Sequence, residues 1–194
     1  MACLLDLEKP QIRTRLLAIS GSLRAVSSNA SALRAAALVA PAEVEVAAYA
    51  GLADLPAFNP DLDTDEPPEA VRALRRRIGE CDGLLICSPE YAHGVPGALK
   101  NALDWLVSSL EFSGTPVALI NASPRSVHAD AQLREILTTM DARLVESASI
   151  TLDLSGAGRS LDAAGIAADP TLSAQLREAL EHLAEAIRAA KAAI

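Results

Sequence analysis

The stretch LLAISGSLRAVSSN, residues 16–29, joins an apolar run to a loop of small hydroxyl side chains that carries a single arginine. Its first four residues, Leu16–Ile19, are continuously apolar, which is typical of a central strand of a parallel sheet covered on both faces. The remainder leads into an alanine-rich segment with the character of a helix. The stretch therefore predicts a strand, a loop and the first turn of a crossover helix.

The rest of the chain repeats this alternation of short apolar runs and longer helical patterns. The runs 84–87 and 117–120 are continuously apolar, whereas 44–46 is flanked and interrupted by acidic residues and suits an edge strand. A fifth strand is expected within residues 143–152. Apolar residues recur at helical spacing in four later segments, namely Val71, Leu74 and Ile78; Leu99, Leu103 and Leu106; Leu133, Ile136, Leu137 and Met140; and Leu172, Leu176, Leu183 and Ile187.

Five strands joined by crossovers predict an α/β fold with a doubly wound parallel sheet and helices on both faces. We expect residues 1–194 to form one domain, with residues 1–14 as a flexible N-terminal tail. The last helix is expected to begin after Asp169, with Pro170 in its first turn. Residues 54–69, rich in proline and acid, and residues 154–168, rich in glycine and alanine, are predicted to be loops.

Composition excludes several classes of function. With 25 acidic and 17 basic residues the net charge is −8, and aromatic residues are only 3% of the chain, so a nucleic-acid partner is not expected. Three cysteines without a CxxC pair favour a reducing cytoplasm. The apolar runs are too short to span a membrane, and acids and a proline interrupt the N-terminus where a signal peptide needs apolar residues.

The loop after the first strand is a candidate anion site. In a doubly wound sheet it lies at the carboxyl end of a strand and at a helix N-terminus, where free N–H groups and the helix dipole favour negative charge. Ser22, Ser27, Ser28 and Asn29 are short donors, and Arg24 adds a forked, permanently charged group. The alternative is that Ser27 or Ser28 only caps the helix and Arg24 is solvated. The loop has neither the GK[ST] of a Walker motif nor three spaced glycines.

The loop after the third strand is stiff. Residues 87–105, CSPEYAHGVPGALKNALDW, contain two prolines and two glycines before a helix that begins near Pro96. A rigid turn with free N–H groups beside the first loop suits a flat heteroaromatic ring. With phosphate held at one strand end and a ring at the next, the pattern describes flavin mononucleotide, FMN.

Together, GSLRAVSSN and PEYAHGVPGALKNALDW resemble the NAD(P)H-dependent FMN reductase family of flavodoxin-like proteins, which includes quinone, azo-dye and chromate reductases. The likeness runs from about Leu16 to Leu144. It implies that the first motif binds the FMN phosphate and the second holds the isoalloxazine ring. The implied cofactor-binding residues are Ser22, Arg24, Ser27, Ser28, Asn29, Pro89, Glu90, Tyr91, Ala92, His93, Gly94, Val95 and, in the third loop, Ser123.

Two departures from the family pattern lie in this site. Ala92 stands where relatives commonly have the asparagine of PEYN, so one polar contact to the flavin is lost. The loop 121–130, NASPRSVHAD, carries Arg125 and His128 where relatives have a glycine-rich turn under the ring. A narrower pocket, an altered flavin potential and weaker flavin binding are all open consequences.

The resemblance implies an enzyme in which hydride passes from NADPH or NADH to flavin N5 and then to an acceptor, in ping-pong turnover. Expected acceptors are quinones, azo compounds, free flavin or chromate-like oxyanions. A homodimer or homotetramer is expected, with the segment 99–110 as a contact element. The alternative is a non-catalytic flavin-binding electron carrier or redox sensor.

No side chain is predicted to be catalytic, because the cofactor would carry the chemistry. No metal site is predicted either, since the three histidines are far apart in sequence. His93 is open between a contact to substrate and a bond to a backbone carbonyl, and Tyr91 between flanking the ring and packing in the turn. Glu90 is expected to order its loop and Cys87 to be an inert buried thiol.

Overall fold

A computed structural model describes residues 13–154 and 162–192 of the chain. The strands are β1 (Thr14–Ser20), β2 (Val44–Ala48), β3 (Gly83–Cys87), β4 (Pro116–Asn121), β5 (Arg143–Leu144) and β6 (Ile150–Thr151). The helices are α1 (Ser28–Val39), α2 (Glu69–Gly79), α3 (Gly97–Asp104), α4 (Val127–Thr139), α5 (Ala163–Ala168) and α6 (Pro170–Ala192).

The sheet is parallel throughout, in the order β2-β1-β3-β4-β5, with β6 also paired to β4. This is the strand order of flavodoxin-like folds, and the chain reverses direction across the sheet between β1 and β3. The predicted α/β, flavodoxin-like doubly wound fold is therefore confirmed. The predicted strands all form, and the acid-flanked β2 is an edge strand as expected.

The fifth strand position is divided. β5 pairs with the beginning of β4 and β6 with its end, and a short 3₁₀ turn, Glu146–Ala148, separates them. Ser149 occupies the gap, where its hydroxyl accepts a hydrogen bond from the Leu119 N–H at 3.1 Å and donates to the Val145 carbonyl. A side chain thus replaces the missing ladder bond, and the sheet edge stays hydrogen-bonded.

Two apolar layers hold the helices to the sheet. One face packs against α1, α5 and α6, with Leu16, Leu85 and Ile120 among its buried residues. The other packs against α2, α3 and α4 and includes Leu84 and Trp105. Because successive strand side chains point to opposite faces, the continuous apolar runs of the central strands serve both layers.

Three local predictions are either corrected by the structure or fall partly outside the residues that it describes. Within the segment predicted to be a loop, residues 163–168 form α5, which Asp162 caps by accepting the Gly165 N–H at 2.8 Å. Residues 155–161 lie outside the described residues. So do residues 1–12 of the proposed tail, whereas Thr14 already belongs to β1. The third crossover helix ends at Asp104, so Leu106 follows it in a turn.

Within residues 13–154 and 162–192, no helix combines the length and the apolar character needed to cross a membrane.

Candidate functional site

The two candidate loops lie side by side at the carboxyl edge of the sheet, where strand order reverses. Ser20 at the end of β1 is in register with Cys87 at the end of β3, and the Gly21 N–H donates to the Cys87 carbonyl at 2.8 Å. A Cβ on Gly21 would lie 3.0 Å from a Leu99 methyl and 3.1 Å from the Ser88 hydroxyl. Glycine therefore lets the first loop pass close to the second at the position where such sheets bind ligands.

The first loop is held by its own serines. The Ser22 hydroxyl accepts the Arg24 N–H at 3.3 Å, and the buried Ser27 caps α1 by accepting the Ala30 N–H at 3.4 Å. The predicted capping alternative is thus observed for Ser27. The cap uses the hydroxyl oxygen as an acceptor and leaves its O–H able to donate to another group.

Several donors of this loop remain available to an anion. Among the described residues, the N–H groups of Leu23, Ala25 and Val26 form no hydrogen bond with the protein. They precede the N-terminus of α1, and the Arg24 side chain is exposed beside them. Free N–H groups, a helix N-terminus and a guanidinium together fit a phosphate group.

A cleft of about 420 Å³ connects the two loops. Arg24 lines it from the first loop and Tyr91 from the second, and Pro96 and Gly97 at the start of α3 complete it. Tyr91 is 50% exposed, so its ring is not packed within the turn. The cleft therefore places an aromatic ring and a cation on opposite loops, an arrangement compatible with a phosphate-bearing heteroaromatic ligand.

The second loop forms a two-residue hairpin. The Tyr91 N–H donates to the Gly94 carbonyl at 3.1 Å, and the Gly94 N–H donates back at 3.0 Å. Ala92 and His93 at its tip have φ of 50° and 59°, the left-handed conformation of a type I′ turn. Glycine and asparagine adopt this conformation more readily than most other residues. Alanine in place of the family's asparagine therefore also removes a residue that favours the conformation of the turn.

Gln132 on α4 holds the end of this hairpin, because its Oε1 accepts the Val95 N–H at 2.7 Å. Sequence reasoning missed this residue. It lies far from the loop along the chain, and a glutamine within an amphipathic helix carries no local signal of such a bond.

Glu90 joins the second loop to the third. Its Oε2 accepts hydrogen bonds from the His128 N–H at 2.8 Å and the Ala129 N–H at 2.9 Å, in the first turn of α4. These bonds, from Ala129 first, lower the pKa of the Glu90 carboxyl. Ser126, the residue before the helix, makes no capping bond with its own side chain. The expected loop-ordering role of Glu90 is confirmed, and α4 receives its cap from another loop.

The histidines correct an expectation. Their separation in sequence gave no reason to expect a cluster, but the His93 and His128 rings lie edge to face with centroids 4.3 Å apart. The His93 Nδ1 is also 3.4 Å from the Glu90 Oε1. The Glu90 bonds join the loop that carries His93 to the helix that carries His128, and the sequence pattern does not reveal them.

The third loop turns on its own polar side chains. Asn121 accepts the Ser123 N–H at 3.1 Å through its Oδ1, and the Ser123 hydroxyl accepts the Arg125 N–H at 3.3 Å. Asx and Ser turns thus replace the glycines of the family pattern. Weaker flavin binding, as one consequence of replacing these glycines, stays a prediction.

One further residue behaves as the sequence indicated. Cys87 is fully buried, its thiol donates to the Asn29 Oδ1 at 3.2 Å, and burial raises its pKa. Trp105 is buried in the core, and its indole N–H donates to the Pro56 carbonyl at 2.8 Å. Asn101, which the sequence did not single out, donates to the same carbonyl and fixes the 54–69 segment against α3.

Fold and site together define a flavodoxin-like protein with free N–H donors, an exposed arginine and a cleft at its switch point. The sequence model of the NADPH-dependent FMN reductase family matches residues 14–156. The chain belongs to this family.

The similarity to individual proteins supports the family assignment. A quinone reductase of Escherichia coli K12 is 40% identical over 145 residues, which are 71% of this chain and 74% of the relative. An NAD(P)H-dependent FMN reductase of Pseudomonas aeruginosa is 32% identical over 174 residues, 87% of this chain and 92% of the relative. The NAD(P)H:acceptor oxidoreductase FerB of Paracoccus denitrificans superposes with a TM-score of 0.72 at 26% identity, covering 90% of this chain and 97% of FerB.

The predicted activity class is confirmed by this membership: the protein is an FMN-containing oxidoreductase that uses NAD(P)H. The alternative of a non-catalytic flavin-binding carrier is not favoured.

Proposed function

We propose that the protein is an NAD(P)H:quinone reductase whose FMN lies across the two loops at the β1–β3 switch point. The observation that carries this proposal is the cleft between Arg24 and Tyr91, which joins free N–H donors to an aromatic side chain. Quinone is favoured as acceptor because the Escherichia coli relative, 40% identical, is a quinone reductase by name. A planar, uncharged acceptor also suits an open cleft beside a flavin.

The site residues divide by chemistry. The phosphate would be bound by the free N–H groups, by the Arg24 guanidinium and by the hydroxyls and amide of the first loop. The ring would lie against the main chain of the second loop, which Glu90 and Gln132 hold in place. The proposed FMN-binding residues are Ser22, Arg24, Ser27, Ser28, Asn29, Pro89, Glu90, Tyr91, Ala92, His93, Gly94, Val95 and Ser123.

Bound FMN would accept hydride from NAD(P)H and pass reducing equivalents to the acceptor. The protein's part is to position the ring, supply N–H donors and leave one face of the cleft open for the two substrates in turn. No side chain is required as an acid or base. This division of labour fits the buried, unreactive state of Cys87.

The proposal is tested with purified protein loaded with FMN. Addition of NADPH or NADH without oxygen should bleach the flavin absorbance, and 1,4-benzoquinone should restore it within one turnover. Steady-state rates against both substrates should give the parallel lines of a ping-pong mechanism. Two outcomes would contradict the proposal. In one, only dithionite reduces the flavin; in the other, NADPH reduces the flavin but quinone does not reoxidise it. Azo dye, free flavin and chromate, tested in parallel, show whether another acceptor is preferred.

We further infer that a second copy of the chain covers part of the site, in a homodimer or homotetramer. Val107 and Leu110, in the turns after α3, are 68% and 92% exposed, and Leu23 and Val26 are exposed beside the cleft. Light scattering of the wild-type protein and of Leu110→Asp tests this arrangement. A wild-type monomer at micromolar concentration would contradict it. We also infer a single domain over residues 1–194 and a location in the cytoplasm.

A further inference from the structure

Three metal-ligating side chains converge at the tip of the second loop. Glu90 and His93 come from this loop, and His128 comes from the first turn of α4. One ligand atom from each lies within 4.8 Å of the other two. A carboxylate and two imidazoles are the donor set of many zinc sites with three protein ligands.

The spacing within the cluster fits a shared ion better than a hydrogen bond. The His93 Nδ1 lies 3.4 Å from the Glu90 Oε1, beyond the usual hydrogen-bond distance of about 2.7–3.2 Å. Two ligands of a tetrahedral zinc ion, each about 2.0–2.1 Å from the metal, are about 3.4 Å apart. The two side chains therefore already have the separation that a common ion imposes, and the His128 ring lies edge to face with His93.

One of the three ligands, Glu90, is held before any ion arrives. The Glu90 Oε2 is fixed by the N–H groups of His128 and Ala129, which leaves Oε1 as the ligating oxygen. Carboxylate ligands of metal sites are commonly hydrogen-bonded in this way. The left-handed φ of Ala92 and His93 turns the hairpin tip, and such strained conformations cluster at functional sites.

We propose that Glu90, His93 and His128 form a binding site for one divalent ion of the zinc class. Two imidazole ligands favour zinc over magnesium or calcium, which prefer oxygen ligands. His93 and His128 are exposed, so the ion has an entry path and water completes its coordination. The bound ion would cross-link the hairpin to α4 and so restrict the motion of the loop that lines the cleft. The proposal concerns side chains only and does not depend on FMN binding.

The test is calorimetric titration of zinc chloride into chelator-treated protein, with and without FMN. Cys3→Ser and Cys81→Ser are introduced as background so that thiols do not compete. The expected stoichiometry is one ion per chain, and His93→Ala and His128→Ala should each weaken binding at least tenfold. His182→Ala is the matched control, because His182 lies on α6 and contacts the Ser147 carbonyl. It should bind zinc as the background protein does.

Structural readouts complete the design. Zinc should slow amide exchange at residues 91–95 in the background protein and not in a His93→Ala, His128→Ala double variant whose circular dichroism is unchanged. Absence of saturable binding, or binding retained by the folded double variant, would overturn the proposal. Flavin absorbance is recorded in the same samples, so failure to bind FMN is distinguished from failure to bind zinc.

Discussion

The Glu90 carboxylate lies 2.9 Å from the backbone nitrogen of Ala129, so a side chain that follows β3 caps the helix that follows β4. Glu90→Ala removes this cap and leaves two N–H groups of α4 without a partner. We expect faster amide exchange at residues 127–130, measured by mass spectrometry or NMR. Glu90→Gln keeps an acceptor oxygen and should show a smaller increase. Equal protection in the wild type and the alanine variant would contradict the capping role.

Arg24 is expected to bind the FMN phosphate. Charge-assisted hydrogen bonds contribute about 1.5–3 kcal/mol, so Arg24→Ala should weaken FMN binding by about 10–150-fold. Riboflavin lacks the phosphate, and its affinity should change little. Quenching of flavin fluorescence measures both. The control is Arg72→Ala, which removes an exposed arginine paired with Glu69 on α2, away from the cleft. A similar loss for riboflavin would assign Arg24 a general structural role instead.

Ala92 is exposed and has a φ of 50°. Glycine adopts this conformation without the steric cost of a Cβ, a cost of about 1–2 kcal/mol. Ala92→Gly should therefore stabilise the protein by up to about 1 kcal/mol after the extra entropy of unfolded glycine is subtracted. Ala131→Gly, at an exposed position within α4, should destabilise it by about 1 kcal/mol. Urea unfolding measures both, and a destabilised Ala92→Gly protein would be inconsistent with strain at the hairpin tip.

The hydrogen bonds of the Asp63 carboxylate predict how the stability of the folded protein depends on pH. The Ser108 hydroxyl at 2.6 Å, and then Arg75 at 2.8 Å, lower the pKa of its carboxyl. A lowered folded-state pKa means that its contribution is present above the unfolded value of about 3.9 and is lost as pH falls through the folded value. Asp63→Asn should lower the melting temperature at pH 7 and make it fall less steeply between about pH 5 and pH 2.

The control for this pH series is Asp61→Asn, which removes an exposed carboxylate two residues earlier. Its melting temperature should follow the wild-type curve more closely than Asp63→Asn does. If the two variants show the same pH dependence, the bonds of Asp63 do not govern the acid side of the curve.

Gly83, at the start of β3, is required by packing. A Cβ there would lie 2.7 Å from the end of the Ile187 side chain and 3.1 Å from the Pro116 carbonyl oxygen. Gly83→Ala should cost about 1–3 kcal/mol, because the backbone oxygen cannot move aside as a side chain can. Gly97→Ala is the matched control, since no atom lies within 4 Å of its added Cβ. It should be neutral or slightly stabilising at the start of α3, as chemical denaturation would show.

Much of the fold is readable from the sequence because its signals are local. The apolar runs at 16–19, 84–87 and 117–120 predict buried strands, and the helical spacings between them predict crossovers. α5 was missed because its alanines and a glycine carry little amphipathic pattern. The division of the last strand was also missed, since it depends on the Ser149 bonds to two other segments.

The sequence by itself indicated the doubly wound parallel sheet, the two candidate loops at strand ends and the resemblance to FMN reductases, because each is marked by residues adjacent in the chain. Only the tertiary structure decided that Glu90 caps α4 and that His93 meets His128. Contacts between loops that follow different strands are set by sheet register and helix packing. These are properties of the whole folded chain, and no local pattern of residues records them.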